Sequence, residues 1–187
     1  MAEAEPVLEK LKQELESTVQ ALRRELARLR TGRATTALLD GITVDYYGAR
    51  TPLNQVATLS APEPRLLVIQ PFDRSLLGEI ERAIQQSDLG LHPVNDGKII
   101  RVPIPELTEE RRKELVRHVR KMCEEYRVSA RNHRREAVER LRTMLKNKEL
   151  AEDDERKALE KVESLTKTYI ERIDQALKHK EAEIMEV

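Results

Sequence analysis

Glycine and proline are confined to the middle of this 187-residue chain. All six glycines lie between Gly32 and Gly97, and seven of the eight prolines lie between Pro52 and Pro105. Glycine opens backbone conformations that other residues avoid, and proline removes an N–H and fixes φ, so the two together mark turns and breaks. The flanks are almost free of both and are expected to form long helices. The middle must turn often. Charged residues make up 36% of the chain and aromatics only 3%, with no Trp and Phe72 as the single Phe. That composition suits narrow seams between amphipathic helices rather than one thick core.

In the first flank Leu8, Leu15, Leu22 and Leu29 recur every seven residues, with Leu11, Val19 and Leu26 between them. This predicts a helix seam that ends near Thr31–Gly32. A second helix is expected from Thr108, an N-cap followed by Glu109 and Glu110, to about Asn147. A third starts at Glu152-Asp153-Asp154-Glu155 and carries Leu159, Val162, Leu165, Tyr169, Ile173, Ala176 or Leu177, and Ile184 at helical spacing. Three such helices can bury their seams only against one another. The simplest result is an elongated antiparallel three-helix bundle whose longest helix reaches ~60 Å.

The middle predicts a small β/α/β module. Ile42 to Tyr47 alternates like a strand, Val56–Leu59 and Leu66–Ile69 are further strands parted by Pro62-Glu63-Pro64, and Ile99–Val102 follows the turn signal Asn95-Asp96-Gly97. Leu76, Leu77, Ile80, Ala83 and Ile84 have helical spacing, with Asp73 or Ser75 as N-cap. The expected fold class is therefore α+β. Residues 1–31 and 106–187 form the bundle, and residues 32–105 form an inserted α/β domain. Two chain crossings join them, at Gly32–Arg33 and at Pro103-Ile104-Pro105. Few contacts need span such a connection, so these five residues are the expected hinge.

The second helix carries the clearest functional signal. At ~100° per residue, Lys113, Arg117, Arg120, Arg127, Arg131, Arg134, Arg135 and Arg142 fall within a sector of about 100°. Leu115, Val119, Met122, Cys123, Tyr126, Ala130, Ala137, Leu141 and Met144 fill the adjacent sector, while Glu114, Glu125, Glu136 and Glu139 lie on the far side. A basic strip on a rigid rod suits a phosphate backbone, and arginine binds phosphate bidentately and stacks on bases. Net charge is zero, so the argument rests on this local pattern alone. The competing view is a solvated face paired with nearby acids. Within the stripe itself only Glu124 is acidic, which favours RNA. Asn132 is either a polar partner in that site or an exposed helix residue. Gly32 is explained as a helix end, whereas Arg33 is a candidate extension of the RNA face.

Other chemistries find little support. Cys123 is the only cysteine, which points to a reducing compartment. No stretch approaches the ~20 apolar residues of a membrane span. The acidic start Met1-Ala2-Glu3-Ala4-Glu5 resembles no targeting segment, so a cytoplasmic protein is expected. Cys123, His118 and His133 point in different directions on one helix, which argues against zinc. Gly90 to Gly97-Lys98 has the wrong spacing for a phosphate loop, with Ile99 where Ser or Thr is required. No catalytic set stands out, so neither an enzyme nor a cofactor is expected. Tyr46 and Tyr47 are expected to pack on a strand rather than to stack on bases. Two classes remain: an RNA-binding factor, and a structural coiled-coil or helical-bundle protein without RNA binding. The second would leave seams exposed and self-associate.

Several stretches then carry a family resemblance: Leu29-Arg30-Thr31-Gly32-Arg33-Ala34, Val44-Asp45-Tyr46-Tyr47-Gly48, Pro52-Leu53-Asn54-Gln55, Ser87-Asp88-Leu89-Gly90-Leu91, Ile104 through Arg112, and Arg131-Asn132-His133-Arg134-Arg135. In this order, over essentially the whole chain, they resemble the bacterial ribosome recycling factor family. The resemblance implies an L-shaped molecule with a three-helix bundle and a smaller β/α/β domain. It implies binding to large-subunit rRNA of the post-termination ribosome, and splitting of the subunits with elongation factor G and GTP. Initiation factor three then keeps the subunits apart. It implies a monomer with no catalytic residue, and ribosome-binding arginines at Arg30, Arg33, Arg131, Arg134 and Arg135. Departures are His92 before Pro93, where the family usually has Asn, and His133 in a variable slot; neither touches the basic strip.

Overall fold

The structure, a computed structural model, describes residues 1–186. In chain order its regular elements are α1 (Glu5–Arg28), β1 (Thr43–Tyr46), β2 (Ala49–Pro52), the one-turn α2 (Leu53–Val56), β3 (Ala57–Glu63), β4 (Leu66–Pro71), α3 (Leu77–Gln86), β5 (Val94–Asn95), β6 (Ile100–Pro103), α4 (Glu109–Lys146) and α5 (Glu152–Met185). They form two compact units. One comprises Met1–Leu26 and the chain from Lys113 onward; the other is Ala27–Arg112. No helix among the described residues is long and apolar enough to cross a membrane.

The first unit is a three-helix bundle, and its cross-helix pairs fix the helix directions. Glu14 meets His133 and Glu25 meets Tyr126, so α1 and α4 run antiparallel. Arg120, Arg127 and Arg134 meet Glu181, Asp174 and Glu163, so α4 and α5 are antiparallel too. Glu5 meets Lys161 and Glu16 meets Arg172, which makes α1 and α5 parallel. Leu11, Leu15, Val19 and Leu22 of α1, Val119, Cys123, Ala130 and Leu141 of α4, and Ala158, Val162, Ile173 and Ile184 of α5 are buried. Leu29 lies beyond the end of α1, because the helix stops at Arg28.

The α5 seam also includes Thr166 and Lys180, which apolar periodicity alone passes over. Thr166 Oγ1 donates to Val162 O at 2.8 Å, satisfying its hydroxyl within its own helix. Lys180 buries its stem while its ammonium reaches Glu183 at 3.3 Å. At the end of α4, Lys148 adopts φ 61°, Glu149 N donates to Met144 O, and Lys148 N donates to Leu145 O. This is a Schellman stop made without glycine, which explains why a sequence free of glycine can still turn sharply here.

The second unit holds a four-stranded antiparallel sheet in the order β3-β4-β6-β5, a separate β1-β2 hairpin, and α3. Leu38, Leu39, Leu53, Leu67, Ile69, Ile80, Ile84 and Ile100 form its core. Asp73 accepts from Ser75 N at 2.9 Å at the 3₁₀ turn leading into α3. Pro62 lies inside β3 rather than in a loop. β3 is an edge strand with an irregular register between Ser60 and Glu63, so a missing N–H is tolerated there. β2 and β5 have no apolar alternation of their own and exist through pairing with β1 and β6.

Two segments without regular structure, residues 29–35 and 104–108, flank the sheet. Ala34 N donates to Pro64 O and Ile104 N donates to Arg65 O, and the Ile104 side chain is buried in the core of this unit. Gly32 has φ +80°, and a Cβ there would stand 3.3 Å from Leu107 Cγ. Thr108 Oγ1 accepts from Arg111 N at 3.1 Å and caps α4 as its sequence predicts.

Leu22 and Leu141 are fully buried. Leu22→Ala and Leu141→Ala should each lower stability by roughly 2–5 kcal/mol, the range for such core truncations; urea unfolding followed by circular dichroism measures it, and a parent-like midpoint for Leu22→Ala would refute the seam. Burial pushes the Cys123 thiol up to about 11. A thiol reagent at pH 8 should therefore modify Cys123 only as fast as the bundle opens, and rapid modification of the folded protein would contradict that burial.

Candidate nucleic-acid interface

Helix α4 supplies the face on which the basic residues gather. Its 38 residues contain neither glycine nor proline, so it is one rod of about 57 Å at ~1.5 Å per residue. Burial of Leu115, Val119, Cys123, Ala130, Ala137, Leu141 and Met144 fixes its rotation, and the arginine stripe consequently lies beside α5 and toward solvent.

The structure splits that stripe into two rows. Arg120, Arg127 and Arg134 form an inner row, seven residues apart, against Glu181, Asp174 and Glu163 of α5. Arg127 Nη2 is 2.6 Å from Asp174 Oδ1, Arg134 Nη1 is 3.0 Å from Glu163 Oε1, and Arg120 Nε donates to Glu181. Arg117, Arg131, Arg135 and Arg142 form an outer row, all exposed. Arg131 Nη1 lies 3.1 Å from Glu124 Oε1, and the other oxygen of Glu124 lies 3.1 Å from Arg127 Nη1. The guanidiniums of Arg131 and Arg127 hold the Glu124 carboxyl below its usual range, so it stays ionised. Arg117, Arg135 and Arg142 make no ion pair among the described residues.

The acids missing from the α4 stripe thus come from another helix, which the α4 sequence could not reveal. Self-pairing describes the inner row and reaches only Arg131 of the outer one, through Glu124. Pairing rather than exposure makes the division: within the inner row the side chains run from 16% exposed at Arg127 to 62% at Arg120, and Arg131 of the outer row is 46% exposed. Asn132 is exposed at the margin of the stripe, ~100° round the helix from Arg131.

Arg30 and Arg33 belong to the other unit. Arg30 Nη1 donates to Leu89 O at 3.2 Å, which ties residues 29–35 to the loop after α3; Arg33 is exposed. Within its unit each is placed by the same irregular segment that holds Gly32.

Tyr46 ends strand β1 as expected, with its ring partly exposed, whereas Tyr47 lies outside the strand. Tyr47 and Gly48 form the two-residue turn of the β1-β2 hairpin, both with positive φ, and the two tyrosine rings stand edge to face at 4.5 Å with Tyr47 87% exposed. The tight turn reverses the chain one residue before the alternation would have continued.

Cys123 is buried and His118 exposed, so they do not converge. His133 instead approaches Glu14 and Glu136, whose ligand atoms and its own lie within 4.8 Å of one another. His133 Nδ1 is 2.8 Å from Glu14 Oε2 yet makes no hydrogen bond. Lys10 stands 3.7 Å from Glu14, and Arg140 lines the same groove. Lys10 thus already supplies a cation to one of the two carboxylates.

Comparison with known proteins agrees with this architecture. The family model described as ribosome recycling factor matches residues 22–185. The ribosome-recycling factor of Halalkalibacterium halodurans is 58% identical over 181 residues, covering 97% of this chain and 98% of its own. That of Rubrobacter xylanophilus is 57% identical over 173 residues, covering 92% and 93%. Among solved structures, a solution structure of the ribosome recycling factor superposes with a TM-score of 0.83 at 42% identity over the whole of both chains. A second match, at a TM-score of 0.70 and 45% identity over 98% and 99% of the two chains, is the T. thermophilus ribosome recycling factor bound, with E. coli elongation factor G, to the E. coli post-termination complex. With a family model spanning most of its length and full-length relatives above half identity, this chain belongs to the ribosome recycling factor family.

Proposed function

We propose that this protein recycles ribosomes: it binds the post-termination ribosome and, with elongation factor G and GTP, splits the subunits so that they can be reused. One observation carries the molecular part of the reading. The outer row of α4 offers exposed guanidiniums along a rigid rod, in a family whose T. thermophilus relative is described on that complex with elongation factor G. Large-subunit rRNA is the natural ligand for the row, because each guanidinium that neutralises a phosphate releases counterions. Arg131, Asn132, Arg134 and Arg135 are the proposed central contacts, with Arg127 behind them and Arg30 and Arg33 contributed by the other unit. The chain needs no cofactor and no catalytic residue, since the factor that hydrolyses GTP is the partner. Initiation factor three would hold the separated subunits apart, and the site of action is the cytoplasm.

The structural coiled-coil alternative requires helix seams open to other chains. Here the seams of α1, α4 and α5 are buried within one chain, which supports a monomer.

The two joining segments are the proposed hinge, at Gly32 and Arg33 on one side and Pro103, Ile104 and Pro105 on the other. Ile104 is anchored in the core of the sheet unit and Pro103 pairs in β6, so of these five residues the rotation falls on Pro105, on Arg33 and on Gly32, whose positive φ glycine accepts without strain.

Arg131→Ala and Arg135→Ala should each weaken ribosome binding by roughly 1–3 kcal/mol with a shallower salt slope, while leaving the melting temperature unchanged. Sedimentation with ribosomes across a salt series measures both, and wild-type affinity with wild-type slope would remove the row from the mechanism. A disulfide tethering the sheet unit to the bundle should leave ribosome binding intact and block subunit splitting until it is reduced. Buried Cys123 can stay in that variant. Normal splitting by the oxidised protein would make the factor a rigid wedge.

A further inference from the structure

The chain carries 34 basic and 34 acidic side chains, yet seven of its 22 arginines lie on one face of α4. On α5 the carboxylates Glu163, Asp174 and Glu181 recur at spacings of eleven and seven, close to whole numbers of helical turns, and so line one edge of that helix. Each meets one inner-row arginine. Glu124 then links the inner row to the outer one through Arg127 and Arg131. We infer that Glu124, Glu163 and Glu181 are specificity-determining residues of the basic face, which hold its arginines in intramolecular pairs that an arbitrary phosphate backbone displaces with little net gain. The inference rests on the RNA-binding reading above.

The physical reasoning is an exchange argument. A phosphate that takes Arg134 or Arg120 must break an existing charge-assisted pair and strand a carboxylate beside a polyanion. The gain of one contact is offset by the loss of another and by like-charge repulsion. A regular duplex, which presents phosphates all along the stripe, meets this cost repeatedly. A folded RNA surface meets it only at Arg131 and Arg134, because its further contacts at Arg135, Arg142 and Asn132 break no such pair. The carboxylates therefore penalise generic nucleic acid more than the shaped target, a form of discrimination that phosphate contacts alone cannot supply. Had these pairs been only staples between α4 and α5, removing them would lower stability and leave RNA selectivity unchanged.

The test uses the full chain with Glu163→Gln and Glu181→Gln combined with Glu124→Gln, and Glu124→Gln alone as a second variant. Glu124 is exposed and binds only within α4, so that variant keeps the interhelical pairs and the fold. Asp174 stays, because it holds the largely covered Arg127. Binding is measured to a random-sequence RNA duplex and to purified large subunits over a salt series. At about two- to fivefold per surface pair, the triple variant should bind the duplex about tenfold or more tightly, with a steeper salt slope. Large-subunit affinity should rise by a smaller factor than duplex affinity, because only two of its contacts lie on arginines that these pairs hold, and Glu124→Gln alone should shift the duplex in the same direction. Duplex affinity that is unchanged or lowered, or equal gains for both RNAs, overturns the inference while leaving the RNA face intact. If the wild-type protein binds large subunits with no salt dependence, the RNA-binding reading itself fails, and this inference fails with it.

Discussion

The structure depends on how one helix is gripped. Helix α4 draws most of its stability from packing rather than from propensity; its seam from Leu115 to Met144 is buried because α1 and α5 close over it. Truncation at either end of that contact would loosen the same helix that carries the basic face. Core and candidate site are thus two sides of one element. A rotation of α4 by only a fraction of a turn would exchange the inner and outer rows of arginines, so core packing determines which charges a ligand meets.

Electrostatics refines what packing sets. The inner row runs along the α5 side of α4, and the α5 carboxylates take it. The outer row extends past them. Exposed ion pairs of this kind contribute little to stability. Their interest lies in occupancy: a guanidinium already bound to a carboxylate is a weaker magnet for phosphate than one facing water. Family membership and this division of the stripe together account for a protein of zero net charge that is read as a binder of RNA.

The sheet unit obeys a different rule. Its strands are short, two of them are stabilised mainly by their neighbours, and its core is a compact set of Leu and Ile. Its ends are tied down by Ala34 to Pro64 and by Ile104 to Arg65. The irregular residues next to those ties are where backbone rotation costs least, which is the local basis for the proposed hinge.

The sequence alone determined the elements with strong periodicity or clear stops: α1, α4, α5, β4, β6 and the α3 region, and the resemblance that named the family. Those signals are local, carried by residues three, four or seven apart, or by a cap such as Thr108 or Asp73. It also placed the arginines on one face of α4. What it left out depends on residues far apart in the chain. The β2 and β5 strands exist only through their partners, the stop after α4 uses Lys148 in a conformation that glycine usually takes, and Tyr47 turns outward because a hairpin closes there. Above all, the pairing of Arg120, Arg127 and Arg134 with α5 joins residues 29 to 61 positions apart. Helical periodicity reports only a helix's own faces; which face meets a neighbour's carboxylates is decided when the helices pack.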